Sequence, residues 1–579
     1  MIIKSVRFII YIFILFPFFL FSQFKVSYFL ADKSSEQLKK KYPLSAKNWS
    51  EANKYAKDIV ADFRSNGFLL SNTDSIIKDT VNSEIKIFIF IGEKFTWAKL
   101  VSGNLDEEAI AASALSEKLL SGKIFNPKEV TKLMYNILRH YENNGYPFAE
   151  VSLDSVLISE TSISAKIKVE KNRKVIIDSV IVFGDLNISK NFLYRYLNLR
   201  SGCNYDEAVI NKVSSRLRLL PFVNETKPVS VRLTDRYNRL IIFADKRNAS
   251  QFDGIVGLLP SNGSKTVFTG DLKIKLVNTV FKSGETMELN WRRLQSETQD
   301  LKTKIVYPFI FNSPFGVEHQ FKLYKRDSTF LDLNNNIGVN YFFSGLNYLK
   351  ALYKQRNAFV LSKSVYVNTQ DILELADITT RAYGIGFFYE NFDYKLNPRK
   401  GLSVSVNTTA GSRSIKRNPN IDVSFYSTLK LSAVQYQFDL DFSSFIPIMQ
   451  RSAIKIGLQS ATVYSDKLFI NEMFRIGGLK TLRGFDEESI FSSSYAIGTV
   501  EYRFLFEKNS SLFLFSDLCW YEKKETSSYV NDLPVGIGAG INFETKAGIF
   551  SLTYALGNQF NNGFDIRSGK IHFGIVNSF

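Results

Sequence analysis

The sequence predicts an exported two-part protein: α+β periplasmic repeats in the N-terminal half, then an all-β transmembrane barrel of about 16 antiparallel strands. Three observations predict it. The chain opens on a short apolar run behind two basic residues. A strand, two helices and two strands then recur three times. From about Gln251 the pattern changes to two-residue alternation broken by Gly, Asn, Ser and Pro turns.

Lys4 and Arg7 precede an apolar stretch from Phe8 to Phe21, and Ser22 offers a small residue for cleavage. The run is shorter than the roughly 20 residues of a spanning helix and is interrupted by Pro17. Residues 1–22 are therefore expected to be a signal peptide. No cysteine follows before Cys203, which argues against lipid attachment at this point. No later apolar run is long enough to cross a membrane as a helix, so the remaining chain spans one as a closed barrel or not at all.

Composition excludes several other classes. The two cysteines, Cys203 and Cys519, lie in different halves, and no structural disulfide is expected. With three histidines, His140, His319 and His572, no metal-ligand cluster is expected. The net charge of +17 is scattered through alternating segments such as Asp271-Leu272-Lys273-Ile274-Lys275-Leu276. That pattern suits anionic headgroups or a watery lumen, and no nucleic-acid motif accompanies it. There is neither a Gly-x-Ser-x-Gly elbow nor a phosphate-binding Gly-x-x-x-x-Gly-Lys-Ser/Thr loop. The chain is expected to be no enzyme and to carry no cofactor and no metal.

The repeats are expected at residues 23–96, 97–172 and 173–247. Val101-Ser102-Gly103-Asn104 answers to Val182-Phe183-Gly184-Asp185, and Gly122-Lys123-Ile124-Phe125-Asn126 to Gly202-Cys203-Asn204-Tyr205-Asp206. Helical spacing follows in Val130, Leu133, Met134, Ile137 and Leu138, matched by Val209, Val213, Leu217 and Leu220. Turns then lead into strands at Asn144-Gly145-Tyr146-Pro147-Phe148 and Pro221-Phe222-Val223, and Asn66-Gly67-Phe68 holds that place in the first copy. A small sheet with helices on one face leaves an edge strand able to accept an extended peptide.

The barrel is expected over residues 248–579. Val434-Gln435-Tyr436-Gln437-Phe438-Asp439-Leu440-Asp441-Phe442 is apolar on one face and polar on the other. If the barrel closes between a first strand near Phe252 to Leu258 and a last strand from Ile571 to Phe579, the first is short and carries Gly254 and Gly257. It is expected to pair weakly, giving a seam that opens sideways.

The most specific strings lie near the C-terminus. Phe474-Arg475-Ile476-Gly477-Gly478-Leu479-Lys480-Thr481-Leu482-Arg483-Gly484-Phe485 is followed by Glu501-Tyr502-Arg503-Phe504, by Asp517 and Trp520, by Val535-Gly536-Ile537-Gly538-Ala539-Gly540, and by a terminal Phe579. In order and spacing these resemble the outer-membrane assembly-factor superfamily of BamA and TamA, and the repeats resemble its periplasmic POTRA domains. Three repeats and this length are closest in layout to TamA. The last strand departs from the family pattern, keeping Gly574 and Phe579 but carrying Asn577 where an aromatic is usual.

The resemblance implies a location in the bacterial outer membrane with the POTRA domains in the periplasm. It implies an insertase whose partners are unfolded outer-membrane clients, outer-membrane lipids and a periplasmic protein docking on the POTRA domains. The alternative is a two-partner secretion translocator of one dedicated exoprotein. It further implies that Gly477, Gly478, Arg483, Gly484 and Phe485 form a loop inside the lumen, with Arg483 held by Glu501 and Asp517. Strand parity independently puts Glu501 inside, because Val500, Tyr502 and Phe504 form the outward face. For Asp517 parity is ambiguous, since Phe513 and Phe515 share its face.

Overall fold

A computed structural model describes residues 24–30, 41–115, 121–260, 266–295, 298–361, 375–419, 422–525, 528–545, 548–560 and 562–576. The expected signal peptide, 1–22, lies outside these residues, as do Asn577 and Phe579. The chain divides into two compact units: one runs to Ile176 and takes in Asn204–Glu207, the other holds Ile177–Cys203 and everything from Ala208 onward.

The first unit contains two α/β domains of the same topology. In the first, Phe24–Leu30 runs parallel to Glu84–Phe90, which pairs antiparallel with Asn72–Asp79. The helix Trp49–Ser65 starts where the Asn48 side chain accepts from the Glu51 N–H, and it buries Ala52, Ala56, Ile59 and Val60 against Ile85, Ile87 and Ile89. The second domain repeats the topology: Thr96–Val101 is parallel to Ser162–Glu170, which pairs antiparallel with Glu150–Ser159. Its helix Pro127–Asn143 has Pro127 in the first turn, where the missing N–H costs nothing, and it buries Val130, Ile137 and Tyr141.

The second unit begins with a third copy, in which Asn238–Lys246 lies between parallel Ser179–Phe183 and antiparallel Val223–Leu233. This copy sits on the barrel. The Phe192 ring meets Phe309 at 5.6 Å and fills the space above Gly284, where an added Cβ would lie 2.2 Å from the ring. Arg195 donates to Asn312 and Arg216 to Ser344 Oγ at 3.2 Å, and Asn278 Nδ2 donates to the Asn187 carbonyl at 3.0 Å.

One antiparallel sheet forms the barrel wall. In order its strands are β1 (Gln251–Pro260), β2 (Thr266–Val277), β3 (Thr286–Gln295), β4 (Thr298–Tyr307), β5 (Phe315–Arg326), β6 (Phe330–Ser344), β7 (Asn347–Val360) and β8 (Asp377–Glu390). Then come β9 (Gly401–Lys416), β10 (Ser432–Met449), β11 (Ser452–Tyr464), β12 (Ser494–Leu505), β13 (Ser511–Lys524), β14, β15 (Gly548–Asn558) and β16 (Lys570–Val576). The sheet has 17 segments because β14 is split into Tyr529–Asp532 and Val535–Thr545. Both halves pair with β13 in one register, Tyr521 with Asp532 and Leu518 with Val535, so they are one strand broken at Leu533–Pro534. Pro534 has no N–H to give the ladder, though its carbonyl still accepts from Cys519 N at 2.9 Å.

Outward residues such as Leu512, Leu514, Leu518 and Trp520 are exposed, while Phe513, Phe515, Asp517, Cys519 and Tyr521 between them are buried. Among the described residues no helix is long and apolar enough to cross a membrane.

The seam differs in one respect from expectation. The first strand is not short: β1 pairs with β2 from Gln251 to Pro260, and Gly254 and Gly257 sit opposite Leu272 and Thr269 without breaking the register. An antiparallel ladder tolerates a glycine because the pairing runs through the backbone. Among the described residues the shorter ladder is on the other side, where β16 pairs with β15 from Lys570 to Val576.

Candidate functional site: a loop clamped inside the barrel

The chain between β11 and β12 folds into the lumen. It makes a turn of 3-10 helix at Ile470–Glu472, rises as Phe474–Ile476 and returns as Ile490–Ser492, the two limbs pairing antiparallel. Gly477 and Gly478 begin the tip at φ +113° and +95°, a region that glycine enters without a Cβ penalty. Thr481 Oγ1 accepts from Gly477 N at 2.9 Å, and Gly478 N donates to the Leu482 carbonyl at 3.0 Å. Ile476, Leu482 and Ile490 pack with Ile497, Cys519 and Tyr521 of the wall, and Phe485 lies against the same cluster.

Arg483 is the centre of the tip. Its Nε donates to Asp517 Oδ2 and its Nη2 to Asp517 Oδ1, both at 2.7 Å, while Nη1 donates to Glu501 Oε2 at 2.9 Å. The guanidinium also lies 3.4 Å from the Phe515 ring centroid. Two carboxylates and an aromatic face fix the planar group in position and orientation. Each carboxylate has further support: Thr499 Oγ1 donates to Asp517 Oδ1 at 2.8 Å, and Arg503 Nε donates to Glu501 Oε1 at 2.6 Å.

Glycines in the wall let the tip lie flat. A Cβ at Gly536 would stand 2.1 Å from the Arg483 carbonyl oxygen, and one at Gly557 would stand 2.5 Å from that of Gly484. Gly484, at φ +94°, has the wall backbone at Leu556 only 2.6 Å from where its own Cβ would be.

The structure thus brings Gly477, Gly478, Arg483, Gly484, Phe485, Glu501 and Asp517 into one site. The seam residues lie elsewhere: Phe252 is half exposed on β1, Gly254 and Gly257 are in the same strand, and Gly574 of β16 pairs with Ser551 of β15. β1 and β16 approach within 8 Å between Cα atoms, yet among the described residues no backbone ladder joins them.

Sequence reasoning missed a second anchor at the root of the loop. Arg413 of β9 donates to Glu472 through Nε and Nη2, both at 2.6 Å, and also to the carbonyls of Asp466 and Lys467. Arg356 of β7 is held by both oxygens of Asp332 and donates to the carbonyls of Asn471 and Glu472 at 2.6 and 3.1 Å. In the sequence Ser412-Arg413-Ser414 carries no motif. Only the inward parity of a charged residue on a lipid-facing strand could have flagged it.

Among the described residues no group of His, Cys, Asp and Glu is placed to hold a metal ion. The site's chemistry is charge-assisted hydrogen bonding.

Residues 280–579 match the Omp85 superfamily domain. The outer membrane protein assembly factor BamA of Neisseria meningitidis serogroup B (strain ATCC BAA-335 / MC58) is 24% identical over 196 residues, 32% of this chain and 24% of that protein. The match therefore spans about a quarter of that relative's length. Among solved structures, CdiB from Acinetobacter baumannii is 14% identical with a TM-score of 0.53, covering 84% of this chain and 89% of that one. CdiB from Escherichia coli is 12% identical with a TM-score of 0.51, covering 91% and 97%. At such identities the likeness to the solved structures is one of fold.

Proposed function

The chain belongs to the Omp85 superfamily, and from that premise we propose that this outer-membrane barrel, with its periplasmic POTRA-like domains, is an insertase for other β-barrel proteins. Unfolded clients are captured by strand addition at the sheet edges of the three repeats, 23–96, 97–172 and 173–247, and pass to the seam of the barrel, 248–579. There the unpaired edges of β1 and β16 template a client strand, which leaves sideways into the lipid.

One observation carries this reading. Ladders join every successive pair of wall strands, whereas none joins β1 to β16 among the described residues. Unpaired N–H and C=O groups facing lipid are costly, so a strand supplied by a client relieves a real penalty.

Two experiments test it. Depleting the protein and quantifying outer-membrane proteins should show a broad loss of barrels; loss of one secreted protein would instead identify a dedicated translocator. A disulfide engineered between Gln251–Gly254 and Ile571–Gly574 should stop client insertion while the barrel stays folded, as judged by resistance to heat in detergent. Full activity with the seam locked would refute lateral release.

A further inference from the structure

The wall register lines up inward residues of neighbouring strands. Across β3 to β9 one such row reads Asn290, Lys302, Lys322, Asn334, Arg356, Thr380 and Arg413, each opposite the next. Four of these are basic and none is acidic. In the adjoining row Lys304, Gln320, Asn336 and Lys354 follow in the same way. Like charges directly opposite on paired strands repel, and Lys302 and Lys322 are so placed.

Most of these cations have a carboxylate. Arg413 has Glu472, Arg356 has Asp332, Lys302 has Asp300 at 2.8 Å and Lys304 has Glu318 at 3.6 Å. Lys322 and Lys354 do not: among the described residues neither has an acidic oxygen within 4.0 Å, and Lys354 Nζ donates only to the neutral Gln437 Oε1. Both line a lumen cavity of about 470 Å³ between the wall and the loop. The acids on that cavity are already engaged: Glu288 by Lys275, Asp332 by Arg356, Glu472 by Arg413, and Glu488 by Arg475 at 3.1 Å. Arg475, on the rising limb of the loop, also faces the cavity, its guanidinium 3.6 Å from the Tyr324 ring centroid.

Two ammonium groups with no carboxylate at ion-pair distance, Asp439 acting on Lys354 from farther off and already accepting from Gln437 Nε2, line a cavity of the size that small-ligand sites occupy and make a place for negative charge. We infer that the cavity between Lys322, Lys354 and Arg475 is a binding site for a small polyvalent oxyanion of the phosphate class. Such an anion accepts hydrogen bonds from the two wall lysines and from the asparagine and glutamine side chains beside them. It also ties the Arg475 limb of the loop to the wall at a point separate from the contacts of Arg483 and Arg413. The site is independent of the insertase reading, because it rests on register and ion pairing inside the barrel alone.

The test uses the full-length protein in detergent, titrated with inorganic phosphate and with pyrophosphate at constant ionic strength, chloride serving as the reference. Calorimetry should show saturable binding of the oxyanions, and the heat-unfolding midpoint of the barrel should rise with their concentration. The double variant Lys322→Gln/Lys354→Gln should bind at least about tenfold more weakly, a difference of about 1.4 kcal/mol. Lys322→Arg should keep binding. Because Lys322→Gln removes the repulsion with Lys302, its midpoint without oxyanion should equal or exceed that of the parent, which separates lost binding from lost folding. Equal response to chloride and phosphate, or undiminished binding in the folded double variant, would overturn the site.

Discussion

Arg413 and Glu472 form a two-point ion pair, with side chains only 1% and 2% exposed, that fastens the root of the lumen loop to β9. Breaking a buried pair by removing one partner leaves the other charge uncompensated, at a typical cost of about 3 to 5 kcal/mol. Arg413→Ala should therefore lower the heat-unfolding midpoint in detergent by several degrees. Arg413→Lys should recover only part of it, because an ammonium cannot make the forked contact with Glu472 and still reach the carbonyls of Asp466 and Lys467. An unchanged midpoint in Arg413→Ala would show that the root is held by Arg356 alone.

At the tip, Arg483→Ala should release the loop, with a comparable loss of about 3 to 5 kcal/mol and impaired client insertion. Arg503→Ala should do less, since Glu501 keeps Arg483 as a partner. The comparison is read from heat resistance and from insertion of a reporter barrel by the two variants side by side. Equal effects would make Arg503 part of the clamp rather than its support.

How far this site is legible from sequence differs residue by residue. Glu501 can be placed inward from the alternation of Val500, Tyr502 and Phe504 alone, since a barrel facing lipid segregates charge strictly. Asp517 cannot, because Phe513 and Phe515 share its face. The structure gives the reason: the loop makes that side of the lumen locally apolar, and Phe515 is the plate on which Arg483 lies. The root anchor is invisible in sequence because its partners are 59 residues apart and meet only where the loop between β11 and β12 folds back onto β9. The strand total is legible, and Pro534 inside an alternating segment marks the break at Leu533–Pro534.

The third repeat should matter more to the barrel than the first. Phe192→Ala should empty the space over Gly284 and against Phe309, loosening the seat of that repeat. Limited proteolysis should then cut faster between Lys246 and Gln251, with the heat resistance of the barrel retained. Deleting the first repeat, whose core is its own, should leave a folded barrel. Loss of barrel folding on that deletion would contradict a modular chain.

The second repeat should respond to acid. Burial raises the pKa of Asp106, but the hydrogen bond from Lys171 and that from Ala109 N–H outweigh it, so its carboxyl titrates below the ordinary aspartate value. A depressed folded-state pKa contributes stability that is complete above the unfolded value near 3.8 and lost as pH falls through the lower one. Hydrogen exchange in the helix Glu107–Ser113 should quicken over that acid range. Asp106→Asn keeps a capping oxygen and should flatten the dependence.

Anchored on β7 and β9 at its root and on β12 to β15 at its tip, the loop crosses the lumen as a chord and does not hug one strand. Seen electrically, that chord is a resistor placed across the pore. Ions passing along the barrel axis must skirt a strut whose two ends are both fixed by arginine, so the resting channel should conduct little and flicker rarely. Freeing one end turns the strut into a swinging arm, and Arg483→Ala in a planar bilayer should show larger, noisier current steps than the parent. A quiet, unchanged trace would mean that the packing of Leu482 and Phe485 against the wall holds the tip without its charge.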